Sequence, residues 1–234
     1  MRLPPNSYEM HIHTAEVSPC GCATAQEAVR RCIGLGYGGM AVTDHFHCGH
    51  AHVSGGLSQA SWRQRIDFFL TGYQNACNAA PEGFAVMLGM ELRLLRSWDD
   101  QNNDYLVYGL DEDFLRKNAD FDLMTLEEFR KLANKHGLLI VQAHPFRNGM
   151  KLREPELLDG IEVYNGNAHH DSRNDIAALW AKKYDLLPCS GSDYHGGDTG
   201  EGRAPGGIVL PQPVADVRQL VQALRRRDYL LLEE

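Results

Sequence analysis

The sequence predicts an α/β barrel, a mostly parallel sheet closed on itself with helices between its strands. Short apolar runs alternate about seven times with amphipathic, helix-forming stretches, which is typical of βα units. Histidines and acidic residues follow these runs where strands would end, and the carboxyl ends of barrel strands converge on one face. An open sheet would spread the same side chains along its edge. The length of 234 residues suits one domain over 1–234.

The first predicted elements form a βα unit and a long helix. Tyr8–Ile12 is the first short strand, after a proline-containing lead-in. Ala25–Leu35 has helical apolar spacing, and Gly36 is placed to end the helix as its C-cap. Gly39–Thr43 is a compact apolar strand, and Ser58–Ala79 is a long amphipathic helix with a stripe of large apolar residues.

The middle of the chain combines buried strands with a well-marked helix. Phe84–Leu95 is a largely apolar run, as expected of a strand covered on both faces. Tyr105–Gly109 is a further strand, and Asp111–Leu123 contains a short helical segment. Thr125 opens a helix through the Thr-x-x-Glu capping box, and Gly137 ends it.

The C-terminal part repeats the alternation of strands and helices. Its predicted helices are Asp171–Lys183 and Val214–Arg227. Its predicted strands are Leu138–Gln142, Gly160–Tyr164, Leu186–Ser190 and Gly207–Leu210.

Composition limits the partners and the compartment. A net charge of −8 without a basic stripe argues against a nucleic-acid backbone as the main partner. We expect no membrane association, because no apolar run is long enough for a span and no signal-peptide core is present. The six cysteines lack the spacing of a disulfide framework, so we expect reduced thiols in the cytoplasm. The oligomeric state is left open.

Candidate metal ligands recur at the predicted strand ends. His11 and His13, two residues apart on one strand, point to the same side and can reach one ion. Each such motif is weak alone, but the ordered combination predicts a metal site. The further candidates are His45, Glu91, His144, Asp193 and His195. Mixed imidazole and carboxylate ligands suit Zn, Mn and Fe, and their number implies two or three divalent ions.

In this order the motifs resemble the PHP (polymerase and histidinol phosphatase) domain family of metal-dependent phosphoesterases. The resemblance covers essentially the whole chain and implies a distorted (β/α)7 barrel, similar to a TIM barrel. The motifs that carry it are His11-x-His13, Thr43-Asp44-His45, Gly89-x-Glu91, Ala143-His144-Pro145, Glu162-Val163-Tyr164-Asn165 and Gly191-Ser192-Asp193-x-His195.

The resemblance also implies roles for individual residues. It implies that one ion lies among His11, His13, Glu91 and Asp193, and that Glu91 bridges to a second ion held by His144. His45 and His195 would hold a third ion. A bridging water or hydroxide would be the nucleophile. Asp193 and His195 are therefore the expected catalytic residues, with His195 or another imidazole assisting proton transfer to the leaving group.

Two positions depart from the family pattern. Many relatives carry a further Asp or His ligand shortly after the first His pair, and here Glu16 is the candidate, with Cys20 as the alternative. Before the strand Tyr105–Gly109 the family usually has a histidine, whereas this chain has Asp104, whose carboxylate can still bind metal.

Substrate contacts are expected from residues that follow the later strands. Arg147 is placed to fork onto two phosphate oxygens, although a surface salt bridge is an equal alternative. His170, next to His169, either contacts substrate or lies in a solvated loop. The loop with His47, His50 and His52 is a candidate rim of the site.

These observations predict a metal-dependent hydrolase acting on a small phosphorylated substrate, either a phosphomonoester or a phosphodiester. An exonuclease-like phosphodiesterase on nucleic acid is the first alternative, and the acidic charge counts against it. A non-catalytic metal-binding accessory domain is the second. An amidohydrolase-type barrel is the third, but its usual lysine or four-histidine pattern is not apparent.

Overall fold

A nearly closed, barrel-shaped sheet of nine strands forms the centre of the molecule. In a computed structural model that describes residues 2–46, 60–197 and 205–233, the order is β10-β9-β1-β2-β4-β5-β6-β7-β8, and β3 pairs with β4. A bridge between Ile12 and Tyr194 joins the ends of β1 and β8. The strands are β1 Ser7–Ile12, β2 Gly39–Val42, β3 His45–Phe46, β4 Ala85–Leu92, β5 Tyr105–Tyr108, β6 Leu139–Gln142, β7 Gly160–Asn165, β8 Leu187–Gly191, β9 Gly206–Val209 and β10 Leu230–Glu233.

Strand direction departs from a purely parallel barrel at two places. β1, β2 and β4 run parallel, as do β6, β7 and β8. β5 is antiparallel to both of its neighbours, because a turn without a helix connects it to β4. β9 and β10 also pair antiparallel. The predicted α/β barrel is thus confirmed, but strict βα alternation is wrong at β5, and β3 and β10 were not predicted.

Local sequence signals explain where the helices begin and end. The helices are α1 Ala25–Leu35, α2 Trp62–Ala79, α3 Glu112–Lys117, α4 Leu126–His136, α5 Asn174–Tyr184 and α6 Val217–Arg226. Thr24 and Thr125 form capping boxes at α1 and α4, and Gly36 caps α1 with φ +97. α2 begins later than expected because Ser61 is its N-cap, and the expected start at Ser58 lies outside the described residues.

Helices cover the sheet and leave the ligand-bearing face open. Phe69 and Leu70 of α2 pack in one buried cluster with Phe129 of α4. Leu220 and Leu224 of α6 pack in a second cluster with apolar residues of the strands. Within the described ranges, no helix combines the length and apolarity required to cross a bilayer.

Candidate metal centre

The strand ends bring the predicted ligands into one buried cluster. β1 supplies His11 and leads into His13, β3 supplies His45, and β4 supplies Glu91. The remaining members, His144, Asp193 and His195, follow β6 and β8. Four sets of three possible ligand atoms each lie within 4.8 Å of one another. These sets are His13–His45–His195, His11–His13–Glu91, His11–His144–Asp193 and His45–Glu91–Asp104.

The carboxylate of Glu91 lies at the centre of this cluster. Its Oε2 is 2.9 Å from His45 Nδ1, 3.2 Å from His13 Nε2 and 3.5 Å from His11 Nε2. Its Oε1 is 3.0 Å from His144 Nε2. Although Oε2 is fully buried, it accepts no hydrogen bond of good geometry from the described residues. A buried carboxylate oxygen with several imidazole nitrogens around it is arranged as a cation ligand.

The ring orientations of His11 and His13 also fit metal binding. His11 Nδ1 is 2.8 Å from Glu162 Oε1, and His13 Nδ1 is 3.0 Å from Ser18 Oγ, so each neutral ring donates through Nδ1. Their lone pairs are therefore on Nε2, and the two Nε2 atoms are only 3.2 Å apart. Two lone pairs that face each other are stabilised by a positive charge between them, either a metal ion or a proton on one of the two rings. The residues present therefore fit divalent metal ions.

The pKa shifts within the cluster also favour the binding of cations. Burial alone would lower the pKa of His11, but Glu162, Asp193 and Glu91 raise it well above its usual value. Burial would likewise raise the pKa values of Glu91 and Asp193, yet the surrounding imidazoles hold both well below the ordinary carboxyl range. The buried carboxylates thus remain charged and require positive charge beside them.

Two carboxylates outside the candidate ligand set hold these ligands in position. Neither of them was assigned a role from the sequence. Glu162 accepts hydrogen bonds from His11 Nδ1 and, at 2.8 Å, from the backbone N–H of His144. Asp44 accepts from Ser18 Oγ at 2.7 Å, which orients the oxygen that faces His13. Such partners set the tautomer of a ligating imidazole. A sequence signal existed, since a glutamate within the apolar run of β7 is rarely buried without a partner.

Two candidate ligands have left-handed backbone conformations. φ is +28 at His144 and +49 at Asp193, where a non-glycine residue is strained. Surrounding contacts hold Asp193 in place, because its Oδ2 accepts hydrogen bonds from Arg147, Asn165 and Asn167 at 2.8 to 3.2 Å. Its Oδ1 faces the Nε2 atoms of the first histidine pair at 3.3 and 3.4 Å. The strained backbone therefore aims Oδ1 at the cluster.

Glu16 does not join the cluster, contrary to expectation. Its carboxylate accepts a hydrogen bond from the N–H of Ala25 at 2.9 Å, at the first residue of α1. Unsatisfied amides at a helix N-terminus attract a carboxylate, and this contact holds Glu16 there. The alternative, Cys20, is exposed and lines the cavity. Partial burial alone would raise the pKa of its thiol, but the neighbouring imidazoles of His195, His45 and His13 outweigh that effect and lower the pKa to about 6.

An open cavity of about 510 Å³ leads to the cluster. Arg147 and His170, both expected to contact substrate, lie in its wall together with His169. Arg147 is not a surface salt bridge, since its side chain is mostly buried and Nη2 donates to Asp193 at 2.8 Å. The other lining residues include Cys20, Cys22, Arg93, Asp104, Met150 and Asn167. The rim candidates His47, His50 and His52 lie outside the described residues.

The fold and the site combine an α/β barrel with a buried imidazole–carboxylate cluster below an open cavity, an arrangement typical of metal-dependent enzymes. The family model of the PHP domain matches residues 9–201, and the chain belongs to this family. The resemblance inferred from the ordered motifs is thereby confirmed. A search of the curated proteins finds no significant match.

Solved structures show the same fold at low sequence identity. One is a two-domain protein of Bacteroides vulgatus described as "containing predicted PHP-like metal-dependent phosphoesterase", with TM-score 0.65, 16% identity, and coverage of 100% of this chain and 68% of the other. An amidohydrolase from Chromobacterium violaceum, solved with bound sulfate, has TM-score 0.53 and 16% identity over 95% and 97% of the two chains. Endonuclease Q, in complex with a 27-mer duplex carrying an abasic lesion, has TM-score 0.56 and 14% identity over 94% and 56%.

Proposed function

We propose that the protein hydrolyses phosphate esters of small molecules with the help of at least two divalent metal ions. The observation that carries this proposal is the convergence of buried imidazoles and carboxylates at the bottom of an open cavity with two arginines in its wall. When bound, Zn, Fe or Mn ions neutralise phosphoryl oxygens and make water nucleophilic at neutral pH.

The ligand atoms follow from the hydrogen bonds of the outer residues. His11 and His13 offer Nε2, because Glu162 and Ser18 occupy their Nδ1 atoms. Glu91 offers both oxygens and is suited to bridge two ions. The other proposed ligands are Asp193 through Oδ1, His144, and His45 with His195 for an additional ion.

Proton transfer is assigned to His195. Its Nδ1 lies 2.8 Å from the backbone oxygen of Asp193, so it donates there and leaves Nε2 with the lone pair. His195 also lines the cavity. Nε2 can serve as a ligand for an additional ion, or it can accept a proton from water and then pass it to the leaving oxygen, but one nitrogen does only one of these at a time.

Two further groups of the cavity wall handle substrate. Arg147 is bound to Asp193 through Nη2, so it keeps this carboxylate in position, and the residue also lines the cavity. The pKa of His170 is lowered by burial and by the positive charge of Arg147. The ring of His170 is therefore neutral at pH 7 and can accept or donate a hydrogen bond to a substrate hydroxyl.

A nucleic-acid substrate is the second candidate, because the fold is similar to that of a DNA-bound endonuclease. The net charge of −8 counts against it, since a duplex needs several lysines or arginines along its backbone. The same assay decides between the two candidates, if an abasic duplex is included among the substrates.

The test is a hydrolysis screen of protein loaded with Mn, Fe or Zn. It compares small phosphomonoesters, phosphodiesters and the abasic duplex. We expect phosphate release from small esters, and its loss in folded His11→Ala and Asp193→Asn variants. Lys135→Ala, an exposed change in the last turn of α4, serves as a control and should retain activity. Retention of metal without turnover of any ester would instead indicate a binding domain.

A further inference from the structure

Arg93 and Asp104 form a forked ion pair in the wall of the cavity. Arg93 Nε lies 2.8 Å from Asp104 Oδ1, and Nη2 lies 2.7 Å from Oδ2. Asp104 is buried, whereas the side chain of Arg93 is 30% exposed, and both residues line the cavity. Both carboxylate oxygens thus accept hydrogen bonds from one guanidinium.

The antiparallel pairing of β4 and β5 creates this contact. The register pairs Leu92 with Tyr105, and one step further it places Arg93 opposite Asp104. The backbone holds both residues, because Arg93 N donates to Phe46 at 3.1 Å and the oxygen of Asp104 accepts from Ala143 N at 3.0 Å. The pair is therefore part of the barrel framework.

Arg93 has donors left for a ligand. Asp104 takes two of the five N–H groups of the guanidinium. Among the described residues, Asp104 is the only hydrogen-bond partner of the Arg93 guanidinium, and Arg93 lines the cavity with a partly exposed side chain. A rigidly held guanidinium with free donors beside a metal cluster is suited to bind the oxygens of an anion.

The same contact argues against Asp104 as a metal ligand. Asp104 lies within 4.8 Å of ligand atoms of His45 and Glu91, which makes it a geometric candidate. Its negative charge is, however, already neutralised by Arg93, and an ion placed there would lie beside a guanidinium of like charge. An ion would therefore gain less from Asp104 than from Glu91 or Asp193.

We propose that Arg93 binds the phosphoryl oxygens of the substrate and that Asp104 positions this arginine and does not hold metal. This inference rests on the proposed phosphoesterase function, because it assigns the anion that enters the cavity. It replaces the expectation that Asp104 takes the place of a family histidine as a ligand. Substrate affinity and metal content should then depend on different residues.

The experiment measures metal content and the binding of inorganic phosphate to the metal-loaded protein at fixed ionic strength. Arg93→Met keeps the length of the side chain and removes its charge. We expect unchanged metal content and a phosphate affinity about 10–100-fold weaker, as for a lost charge-assisted hydrogen bond. Asp104→Asn should keep every bound ion and weaken phosphate binding less. Arg96→Met, which removes an exposed arginine paired with Glu128, is the matched control and should bind phosphate as the wild type does.

Several results would overturn the proposal. Loss of one ion per chain in Asp104→Asn would make this residue a ligand. Phosphate affinity of Arg93→Met within about twofold of wild type, or no phosphate binding by the wild type, would remove the anion-binding role. If Arg93→Met fails to fold, Arg93→Lys retains the charge without the fork and should show an intermediate affinity. Arg93-dependent phosphate binding without hydrolysis of any ester would refute the phosphoesterase function, but the roles of Arg93 as an anion-binding residue and of Asp104 as its positioning residue would stand.

Discussion

Glu162 contacts two candidate ligands at once, so its replacement by the isosteric glutamine tests how the outer carboxylates act. Its Oε1 accepts from His11 Nδ1 at 2.8 Å. Its Oε2 accepts from His144 N at 2.8 Å and from Asn165 Nδ2 at 3.0 Å. A glutamine amide has one accepting oxygen and one donating nitrogen, so Glu162→Gln cannot satisfy both sides.

The two possible orientations of the amide have different costs. If the amide oxygen faces His11, the amide NH2 group faces the buried N–H groups of His144 and Asn165. These donors then lose their acceptor, which costs about 1–3 kcal/mol for each unsatisfied donor. If its oxygen faces those two donors, only the bond to His11 is lost. His11 can restore that bond by accepting at Nδ1 and moving its proton to Nε2. The second orientation is therefore favoured.

The favoured orientation removes the lone pair that a metal needs. With the proton on Nε2, His11 must change tautomer again before it can bind an ion. Loss of such an outer partner typically weakens metal binding about 10–100-fold, or about 1.4–2.8 kcal/mol. We expect this loss in Glu162→Gln, with a circular dichroism spectrum equal to that of the wild type.

Competition with a chromogenic chelator measures the effect, and Glu9→Gln provides the matched control. Glu9 is also buried, and its Oε1 accepts from the N–H groups of Met10, His11 and Ser192. A glutamine can keep these bonds and donate to the Tyr37 hydroxyl, which faces Oε2. The control should therefore bind metal as the wild type does. A folded Glu162→Gln protein with wild-type metal affinity would refute the tautomer argument.

Three further predictions concern metal dependence, helix packing and the thiol. Chelation should abolish ester hydrolysis and added Mn or Zn should restore it; activity that survives complete metal removal would contradict the mechanism. Gly72→Ala should lower the free energy of unfolding by about 1–3 kcal/mol in denaturant titrations, because its Cβ would overlap Thr14 Oγ1. Gly34→Ala, with open space around its Cβ, should raise it by about 0.5–1 kcal/mol, and equal effects would refute the packing argument. In the metal-free protein, the rate of Cys20 alkylation, followed by peptide mass spectrometry, should fall to half its maximum near pH 6, because only the thiolate reacts. A half-maximal rate near the ordinary thiol pKa of about 8.5 would contradict this prediction.

Local signals allowed much of the fold to be predicted. The helix Ala25–Leu35 has the predicted bounds, because its apolar spacing and the glycine after it act within a few residues. The capping box at Thr125 likewise marked the start of α4. The grouping of His11 with Glu91 and His144 followed from a rule of topology, namely that barrel strands end on one face.

Non-local register accounts for what the sequence could not reveal. β3 consists of two residues, too few for a period to be recognised. The pairing of Arg93 with Asp104 depends on the reversed direction of β5, which apolar patterning does not encode. Glu16 has the right residue type and spacing for a ligand, but the N-terminus of α1 competes for its carboxylate. In each case a partner distant in sequence decides the role of the residue.

The charges of the cluster explain how one protein can hold these carboxylates both with and without metal. Glu91 and Asp193 are buried, and an unpaired buried carboxylate would be costly. Without a cation, the raised pKa values of His11 and His45 keep protons on the imidazoles, which then supply the missing positive charge. An incoming ion must displace these protons, because it needs the same nitrogen lone pairs. Protons and metal ions therefore compete for one set of atoms, and metal affinity must fall as the pH is lowered through the raised histidine pKa values.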